Sequence, residues 1–220
     1  MKSSQTASLN FERRLWAQGF GCIAGLDEAG RGAWAGPVVA GVVCLPAARD
    51  DLSTALEGVR DSKQLTARAR ESLIERIQSA ASGWGIGEAS SDEIDAVGIV
   101  PATCRAMERA LDAMLTAFPD TQPDYLLLDS IKWRGSKPIS LPHQALVKGD
   151  SLSLSIAAAS VLAKVHRDTL MIAFDQQYPG YEFAIHKGYG VARHHALLRE
   201  HGASPIHRMT FAPLRQPELL

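Results

Sequence analysis

Short apolar runs alternate with amphipathic stretches along the chain, which predicts alternating strands and helices. Apolar or alternating runs bounded by turn residues are typical of strands, and they cover residues 22–26, 38–45, 84–88, 125–128 and 139–147. The short connection between the first two runs predicts antiparallel neighbours. Pro142 interrupts the last run, which is therefore expected at a sheet edge, because proline cannot donate a ladder hydrogen bond.

Apolar residues at helical spacing predict helices over residues 67–81, 101–118, 151–176 and 192–200. Thr66 is the predicted N-cap of the first helix, and Pro101 stands at the start of the second. The third helix carries a face of alanine and serine, which would allow close packing on a sheet. Residues 1–18 are predicted to form a tail or a short helix, and residues 46–59 an irregular or weakly helical segment.

Acidic residues follow or precede these elements at three distant places in the chain. Asp27 and Glu28 end the first strand, Asp129 ends the run 125–128, and Asp150 precedes the long helix. Adjacent carboxylates at the end of a buried strand repel one another unless a cation or donors lie between them. Four plainer interpretations stay open: a surface turn at Asp27 and Glu28, an ordinary hairpin loop at residues 30–32, an ordinary turn at residues 36–37, and a helix N-cap at Asp150.

Carboxylate oxygens without histidine or cysteine partners suit hard cations, so these acids favour Mg²⁺ or Mn²⁺ over zinc. Two such ions about 4 Å apart can activate a water, hold a phosphate and stabilise a leaving oxygen. Four acids are about what two divalent ions and a phosphate need for charge balance. The glycines at positions 30, 32 and 36 allow the backbone to approach a ligand closely.

Composition adds a charge gradient to this picture. The chain has 220 residues, of which 46% are hydrophobic and 21% charged, as in an ordinary globular protein. The net charge is −1, yet residues 1–130 contain 12 basic and 18 acidic residues, whereas residues 131–220 contain 11 and 6 together with all seven histidines. The basic surplus of the second half permits contact with nucleic acid.

The sequence contains neither an apolar run of membrane-spanning length nor a secretory signal, which predicts a cytoplasmic protein without membrane contact. Three cysteines without CxxC spacing indicate reduced thiols.

Taken in order, seven motifs resemble those of the ribonuclease HII family between residue 21 and about residue 213: GLDEAGRGAWAGPVV, DSKQL, YLLLDS, VKGDS, AAASVLAKVHRD, HKGYG and HGASPIHRMTF. The resemblance implies an α/β, RNase H-like fold with a mixed central sheet flanked by helices and a helical C-terminal extension. It implies an N-terminal tail over residues 1–18, a catalytic domain over 19–176 and a substrate-contacting extension over 177–220. A monomer is expected.

The resemblance also implies an activity. The family hydrolyses the RNA strand of RNA–DNA hybrids and cuts on the 5′ side of single ribonucleotides in duplex DNA. The products carry a 3′-hydroxyl and a 5′-phosphate, and the expected cofactor is a pair of Mg²⁺ or Mn²⁺ ions.

Individual positions match the family's functional residues. The expected metal ligands are Asp27, Glu28, Asp129 and Asp150, with Asp27 bridging both ions. The loop whose backbone contacts the ribonucleotide's 2′-hydroxyl corresponds to Gly30, Arg31 and Gly32. Tyr189 matches the tyrosine that stacks on the sugar after the ribonucleotide, and Lys63 matches a lysine near the phosphates. Arg31 could instead pair with one of the acids, and Lys63 could be a solvated surface residue.

Four positions depart from the commoner family pattern: Ser130, Ile131, Val191 and Thr210. None is a carboxylate, so the departures concern substrate positioning rather than metal chemistry. Asp168 is interpreted as a structural residue or a supporting one behind the metal ligands. Three late histidines are expected to be surface or packing residues rather than phosphate contacts: His194, His195 and His207.

Three other functions are compatible with part of the pattern. They are an RNase H-like nuclease acting on DNA structures, a hybrid-binding module that does not cut, and a phosphatase of small phosphate esters. The loop at residues 30–32 and Tyr189 argue against the first, and the four carboxylates argue against the second.

Overall fold

A computed structural model describes residues 7–136 and 138–215. The strands are β1 (Cys22–Ala29), β2 (Val38–Pro46), β3 (Gly83–Ala89), β4 (Tyr125–Asp129) and β5 (His143–Leu146). The helices are α1 (Asn10–Ala17), α2 (Leu52–Ala55), α3 (Ala67–Ala80), α4 (Ser91–Val97), α5 (Ile99–Ala117), α6 (Leu154–Gln177), α7 (Phe183–His186) and α8 (Ala192–His201). Short 3₁₀ turns occupy Ser62–Gln64 and Gly149–Ser151.

The strands form one mixed sheet in the order β3-β2-β1-β4-β5. Strands β3, β2 and β1 are antiparallel neighbours, whereas β1, β4 and β5 run parallel. The predicted α/β architecture is confirmed, including the antiparallel pair β1–β2 and the position of β5 at an edge. Because β1 and β4 are parallel, their carboxyl ends lie side by side at one end of the sheet.

Helix α6 lies unusually close to the sheet because two strand residues beneath it are glycines. A Cβ atom at Gly25 would lie 2.3 Å from the carbonyl carbon of Ser155, and one at Gly41 would lie 2.5 Å from the Ala159 oxygen. The small face of α6 meets these glycines, as its sequence predicts. Helix α5 covers the opposite face of the sheet, where apolar side chains of β1 and β2 join its buried residues.

The N-terminal segment forms helix α1, which anchors the start of α6. The carboxylate of Glu12 is fully buried. Its Oε1 accepts hydrogen bonds from the backbone N–H of Ser155 at 2.9 Å and from the hydroxyls of Ser153 and Ser155 at 2.5 and 2.7 Å.

Helices α5 and α6 begin at residues other than the predicted ones, α6 at Leu154 rather than at residue 151. Helix α5 begins at Ile99, two residues before Pro101, which is tolerated because the first-turn N–H groups have no partner within the helix. Helix α4 was not predicted, although a capping box between Ser90 and Glu93 marks its start. Within the described ranges, no helix is both long and apolar enough to cross a membrane.

The close approach of α6 gives a first prediction. Replacing Gly25 with alanine should lower the free energy of unfolding by about 2–3 kcal/mol, because the new methyl group meets helix backbone that cannot rotate away. Gly21→Ala is the matched control, since its Cβ would meet nothing closer than 3.7 Å. Urea denaturation of both variants measures the effect, and equal stabilities would contradict the tight packing.

Candidate functional site

Three carboxylates from distant parts of the chain converge at the carboxyl ends of β1 and β4. Leu26 pairs with Leu128, so the residues that follow, Asp27 and Asp129, lie on neighbouring strands and face the same side. The 3₁₀ turn after β5 brings in Asp150. One carboxylate oxygen of each residue lies within 4.8 Å of those of the other two.

This cluster holds negative charge away from water. Asp27 is 2% exposed and Asp150 4%. Burial raises the pKa of Asp27 well above its usual value, and the charges of Glu28 and Asp129 raise it further. Burial likewise raises the pKa of Asp150, assisted by Asp61 and Asp129 and opposed by Lys63.

The hydrogen bonds of Asp27 and Asp129 hold these side chains in place without neutralising them. Oδ1 of Asp27 accepts from the Glu28 N–H at 2.7 Å, and Oδ1 of Asp129 accepts from the Gly149 N–H at 2.7 Å. Oδ2 of Asp27 is buried, and no residue in the described ranges donates to it. An orphaned carboxylate oxygen among three acids fits a divalent cation, which prefers oxygen ligands.

Glu28 stands apart from the other three acids. Successive residues of a strand point to opposite faces, so Glu28 turns away from Asp27. Its Oε1 accepts a hydrogen bond from Nη1 of Arg31 at 3.1 Å, which is the ion pair considered as an alternative role for Arg31. Burial raises the pKa of Glu28, and Arg31 opposes the rise. Its Oε2 is buried and has no hydrogen-bond partner in the described part of the chain.

The interpretation of Asp150 as a helix N-cap is wrong. Asp150 lies in the preceding 3₁₀ turn, and the Ser153 hydroxyl caps α6 by accepting from the Ile156 N–H at 3.3 Å. The Asp150 carboxylate therefore stays available to the acidic cluster. Lys63 places its Nζ 3.5 Å from Oδ2 of Asp150 while its side chain is 73% exposed, so it can meet a ligand from the solvent side.

The glycine-rich loop after β1 is held by two fully buried arginines that sequence analysis missed. The Arg167 guanidinium donates to the carbonyls of Ala35, Pro37 and Lys187 at 2.9–3.0 Å. Gly30 has φ +95°, and a Cβ there would lie 2.0 Å from Nε of Arg167. Gly30 is thus required by packing.

The second arginine is Arg208, which holds the other side of the loop. It donates to the Gly36 carbonyl at 2.8 and 2.9 Å and to the Arg31 carbonyl at 3.0 Å. Gly32, in contrast, is exposed, and a Cβ there would meet nothing within 4 Å. The backbone around Gly32 is therefore open to a ligand while its surroundings are fixed.

Tyr189 lies beside this loop. Its backbone bridges to Ala33, and the Trp34 N–H donates to the adjacent Gly188 carbonyl at 2.8 Å. The Arg167 guanidinium lies 5.3 Å from the centroid of the Tyr189 ring, and Lys164 Nζ lies 5.6 Å from it. The structure thus joins Tyr189 to residues 30–37, although more than 150 residues separate them in the sequence.

Four polar residues that could be mistaken for ligands have structural contacts instead. Asp168 forms ion pairs with Arg70 at 3.1 Å and Lys164 at 2.5 Å, away from the acidic cluster. His194 and His207 are buried and bonded to each other, as expected of packing histidines. His195 contacts the Trp34 ring.

The departure at Ser130 has a structural consequence. Ser130 has φ +34°, a conformation that favours glycine. Its hydroxyl donates to the Leu146 carbonyl and accepts from the Lys148 N–H, both at 3.2 Å. These bonds join the ends of β4 and β5 next to Asp129. Thr210 donates from its hydroxyl and backbone N–H to Asp95, so this departure keeps a polar contact.

Comparison with known proteins gives a consistent answer. The family model of ribonuclease HII matches residues 24–214. The ribonuclease HII of Syntrophotalea carbinolica is 49% identical over 215 residues, which cover 97% of this chain and 96% of the relative. The ribonuclease HII of Chloroflexus aurantiacus is 50% identical over 206 residues, covering 94% and 93%. The ribonuclease H2 structure from Pyrococcus horikoshii superposes with a TM-score of 0.65 at 26% identity, covering 90% of this chain and 97% of that one.

The buried carboxylate of Asp27 should lower the free energy of unfolding in the absence of a cation and yet favour cation binding. In EDTA at neutral pH, Asp27→Asn should raise the free energy of unfolding by about 1–2 kcal/mol, because it removes a buried charge beside another carboxylate. Added Mg²⁺ should stabilise the original protein more than the variant. Denaturation with and without Mg²⁺ measures both effects, with the exposed Asp120→Asn as the control. A variant that is less stable in EDTA would contradict the assignment of uncompensated charge.

Proposed function

The chain belongs to the ribonuclease HII family, and from that premise we propose that it cuts duplex DNA on the 5′ side of single embedded ribonucleotides as well as the RNA strand of RNA–DNA hybrids. Membership makes it a ribonuclease H-type endonuclease. The specific cleavage is proposed because the cluster of Asp27, Asp129 and Asp150 lies at the end of the strand that leads into a loop fixed by two arginines. In that loop the backbone of Gly32 is exposed.

The four acids of the proposed active site would hold divalent cations, Mg²⁺ or Mn²⁺. Two such ions, when bound, would supply an activated water, a clamp on the scissile phosphate and stabilisation of the leaving oxygen. Asp27, whose Oδ2 has no hydrogen-bond donor in the described ranges, is the proposed ligand shared by both ions. Glu28 would join the other acids if its carboxylate gave up the bond with Arg31, which would leave the Arg31 guanidinium available to a phosphate.

Discrimination between RNA and DNA falls to the backbone of residues 30–32. The 2′-hydroxyl is the group that differs between the two sugars, and it both donates and accepts hydrogen bonds. The exposed backbone at Gly32 can approach it closely, while Arg208 fixes the carbonyl of Arg31 in place. Recognition and chemistry thus lie within six residues of one another, from Asp27 to Gly32.

Further substrate contacts come from both halves of the chain. Tyr189 is proposed to stack on the sugar that follows the ribonucleotide, and Lys63 to contact a phosphate. The C-terminal extension, residues 177–220, serves as the substrate-contacting part because its described portion holds Tyr189 beside the loop.

Cleavage of a labelled DNA duplex carrying one ribonucleotide tests the function, with an all-DNA duplex of the same sequence as control. We expect one cut 5′ of the ribonucleotide in Mg²⁺ or Mn²⁺, leaving a 3′-hydroxyl that a polymerase extends. Asp27→Asn should reduce the rate by roughly 100-fold or more, since the proposed shared cation ligand is lost.

Other results would favour another function. Equal cutting of the all-DNA duplex would indicate a nuclease of DNA structures. Binding without cleavage in either metal would indicate a hybrid-binding module, and hydrolysis of a chromogenic phosphate monoester would indicate a phosphatase.

A substitution at Gly32 can test substrate recognition without changing the stability of the fold. Gly32→Ala should leave the unfolding midpoint unchanged, because its Cβ meets open space. It should nevertheless slow cleavage at a single ribonucleotide by about 10-fold, because the methyl group keeps the sugar from the backbone. Gly21→Ala again serves as the control. Unchanged cleavage by Gly32→Ala would overturn the proposed 2′-hydroxyl contact.

A further inference from the structure

Three buried histidines of the C-terminal extension surround the turn that carries Tyr189. His194 is 0% exposed, His207 2% and His186 8%. They lie outside the acidic cluster, and the proposed reaction does not use them. Their ring nitrogens bond to one another, to backbone groups and, at Nδ1 of His207, also to the Ser204 hydroxyl at 2.8 Å. The backbone partners allow the position of each proton to be deduced.

The hydrogen bonds of His207 fix the proton positions of both His207 and His194. The Ser204 backbone N–H donates to Nδ1 of His207 at 2.8 Å, and a backbone N–H can only donate. Neutral His207 therefore carries its proton on Nε2, which lies 2.9 Å from Nε2 of His194. Nε2 of His194 must then accept, so His194 carries its proton on Nδ1.

The contact of His194 with Tyr189 assigns the same proton position. Nδ1 of His194 lies 3.0 Å from the backbone carbonyl of Tyr189, and a carbonyl can only accept. Nδ1 of His194 is therefore the donor. Both ends dictate one direction, from Ser204 through His207 and His194 to Tyr189. We call this chain of hydrogen bonds the histidine relay.

The third histidine holds the residue before Tyr189. The Gly188 N–H donates to Nδ1 of His186 at 3.1 Å, and Nε2 of His186 donates to the Tyr181 carbonyl at 2.7 Å. The rings of His186 and His194 stack with centroids 4.2 Å apart. Two stacked rings therefore hold successive backbone groups of the turn, the N–H of Gly188 and the carbonyl of Tyr189.

The relay requires neutral rings, and the surroundings provide them. Burial, together with neighbouring His186, holds the pKa of His194 and His207 at about 4. Protonating His194 would place two N–H groups against each other across the 2.9 Å contact with His207. Protonating His207 would instead place its Nδ1–H against the Ser204 N–H, 2.8 Å away.

We propose that His194 is the positioning residue for Tyr189 and that His207 acts behind it by fixing the tautomer of His194. The inference rests on the proposed contact between Tyr189 and the substrate sugar. Arg167 and Lys164 lie near the ring of Tyr189, whereas the relay holds the backbone of this residue. The position of the ring relative to the substrate sugar therefore depends on the Tyr189 carbonyl, to which His194 donates.

Replacing His194 with asparagine or with glutamine distinguishes a positioning role from a packing role, because the two side-chain amides differ in length. In His194→Asn the amide N–H takes the place of Nδ1 and can still donate to Tyr189. In His194→Gln the amide takes the place of Nε2 and can contact only His207. We expect His194→Gln to raise KM for the single-ribonucleotide duplex by about 10-fold, whereas His194→Asn should stay within about 3-fold of the original. His201→Gln, at the partly exposed end of α8, is the control.

Repeating the measurement in a Tyr189→Ala background identifies the route of the effect. If His194 acts through Tyr189, then His194→Gln should have no further effect there. Equal losses for the Asn and Gln variants, or a loss in the Tyr189→Ala background as large as in the original, would overturn the inference. Unchanged cleavage by Tyr189→Ala alone would instead overturn the proposed role of Tyr189.

The tautomers can be measured on the unmodified protein. Long-range ¹H–¹⁵N spectra of the imidazoles should show protonated Nδ1 in His194 and protonated Nε2 in His207 and His186. The opposite tautomer at His194 or His207 would overturn the relay whatever the variants do.

Discussion

Mutual repulsion among three clustered carboxylates, two of them buried and the third half-buried, is the constraint on which the rest of the structure depends. Asp27, Asp129 and Asp150 place oxygens within 4.8 Å of one another in a site that largely excludes water. Such an arrangement opposes folding until a cation occupies it, so other contacts must hold it together. The parallel pairing of β1 and β4 fixes two of the acids, and backbone N–H groups of Glu28 and Gly149 orient their carboxylates. The glycines under α6 contribute by letting a tightly packed helix lie directly behind the site.

The loop that follows β1 solves a different problem, because it must expose backbone and yet stay in one conformation. Two buried guanidiniums accomplish this by donating to five loop or turn carbonyls, those of Arg31, Ala35, Gly36, Pro37 and Lys187. Burying a charged arginine costs free energy unless its donors are satisfied, and carbonyls of a tight loop satisfy them. Burial lowers the pKa of Arg208 to about 9, which leaves it charged at neutral pH. The loop therefore owes its rigidity to residues far away in the chain.

These long-range contacts mark the limit of what the sequence could predict. Local periodicity predicted the strands and most helices, and the mixed sheet followed from the family resemblance. The acids that end β1 and β4 were identified because they follow apolar runs. Sequence adjacency did not indicate that Glu28 faces the other side of the strand, where it pairs with Arg31. The alternative of a helix N-cap at Asp150 was wrong because Ser153, three residues later, caps the helix. Arg167 and Arg208 gave no local signal, because their partners lie 130 and 172 residues away in the sequence. The family motifs contain both arginines, but only the fold shows what they hold.

Residues 27–32 combine the proposed metal-binding and recognition groups, yet the two groups are anchored to different parts of the protein. Asp27 belongs to the sheet, whose geometry is set by β1, β4 and α6. The loop from Gly30 onward is anchored to α6 by Arg167 and to the C-terminal extension by Arg208 and the Tyr189 turn. A perturbation in the extension can therefore shift the loop and Tyr189 together while leaving the carboxylates in place. Because Ala33 bridges to Tyr189, the two proposed recognition elements are joined through their backbones. In the proposed function, selectivity for ribonucleotides and the rate of phosphate hydrolysis would therefore depend on different contacts of the fold, even though the residues responsible are neighbours in the sequence.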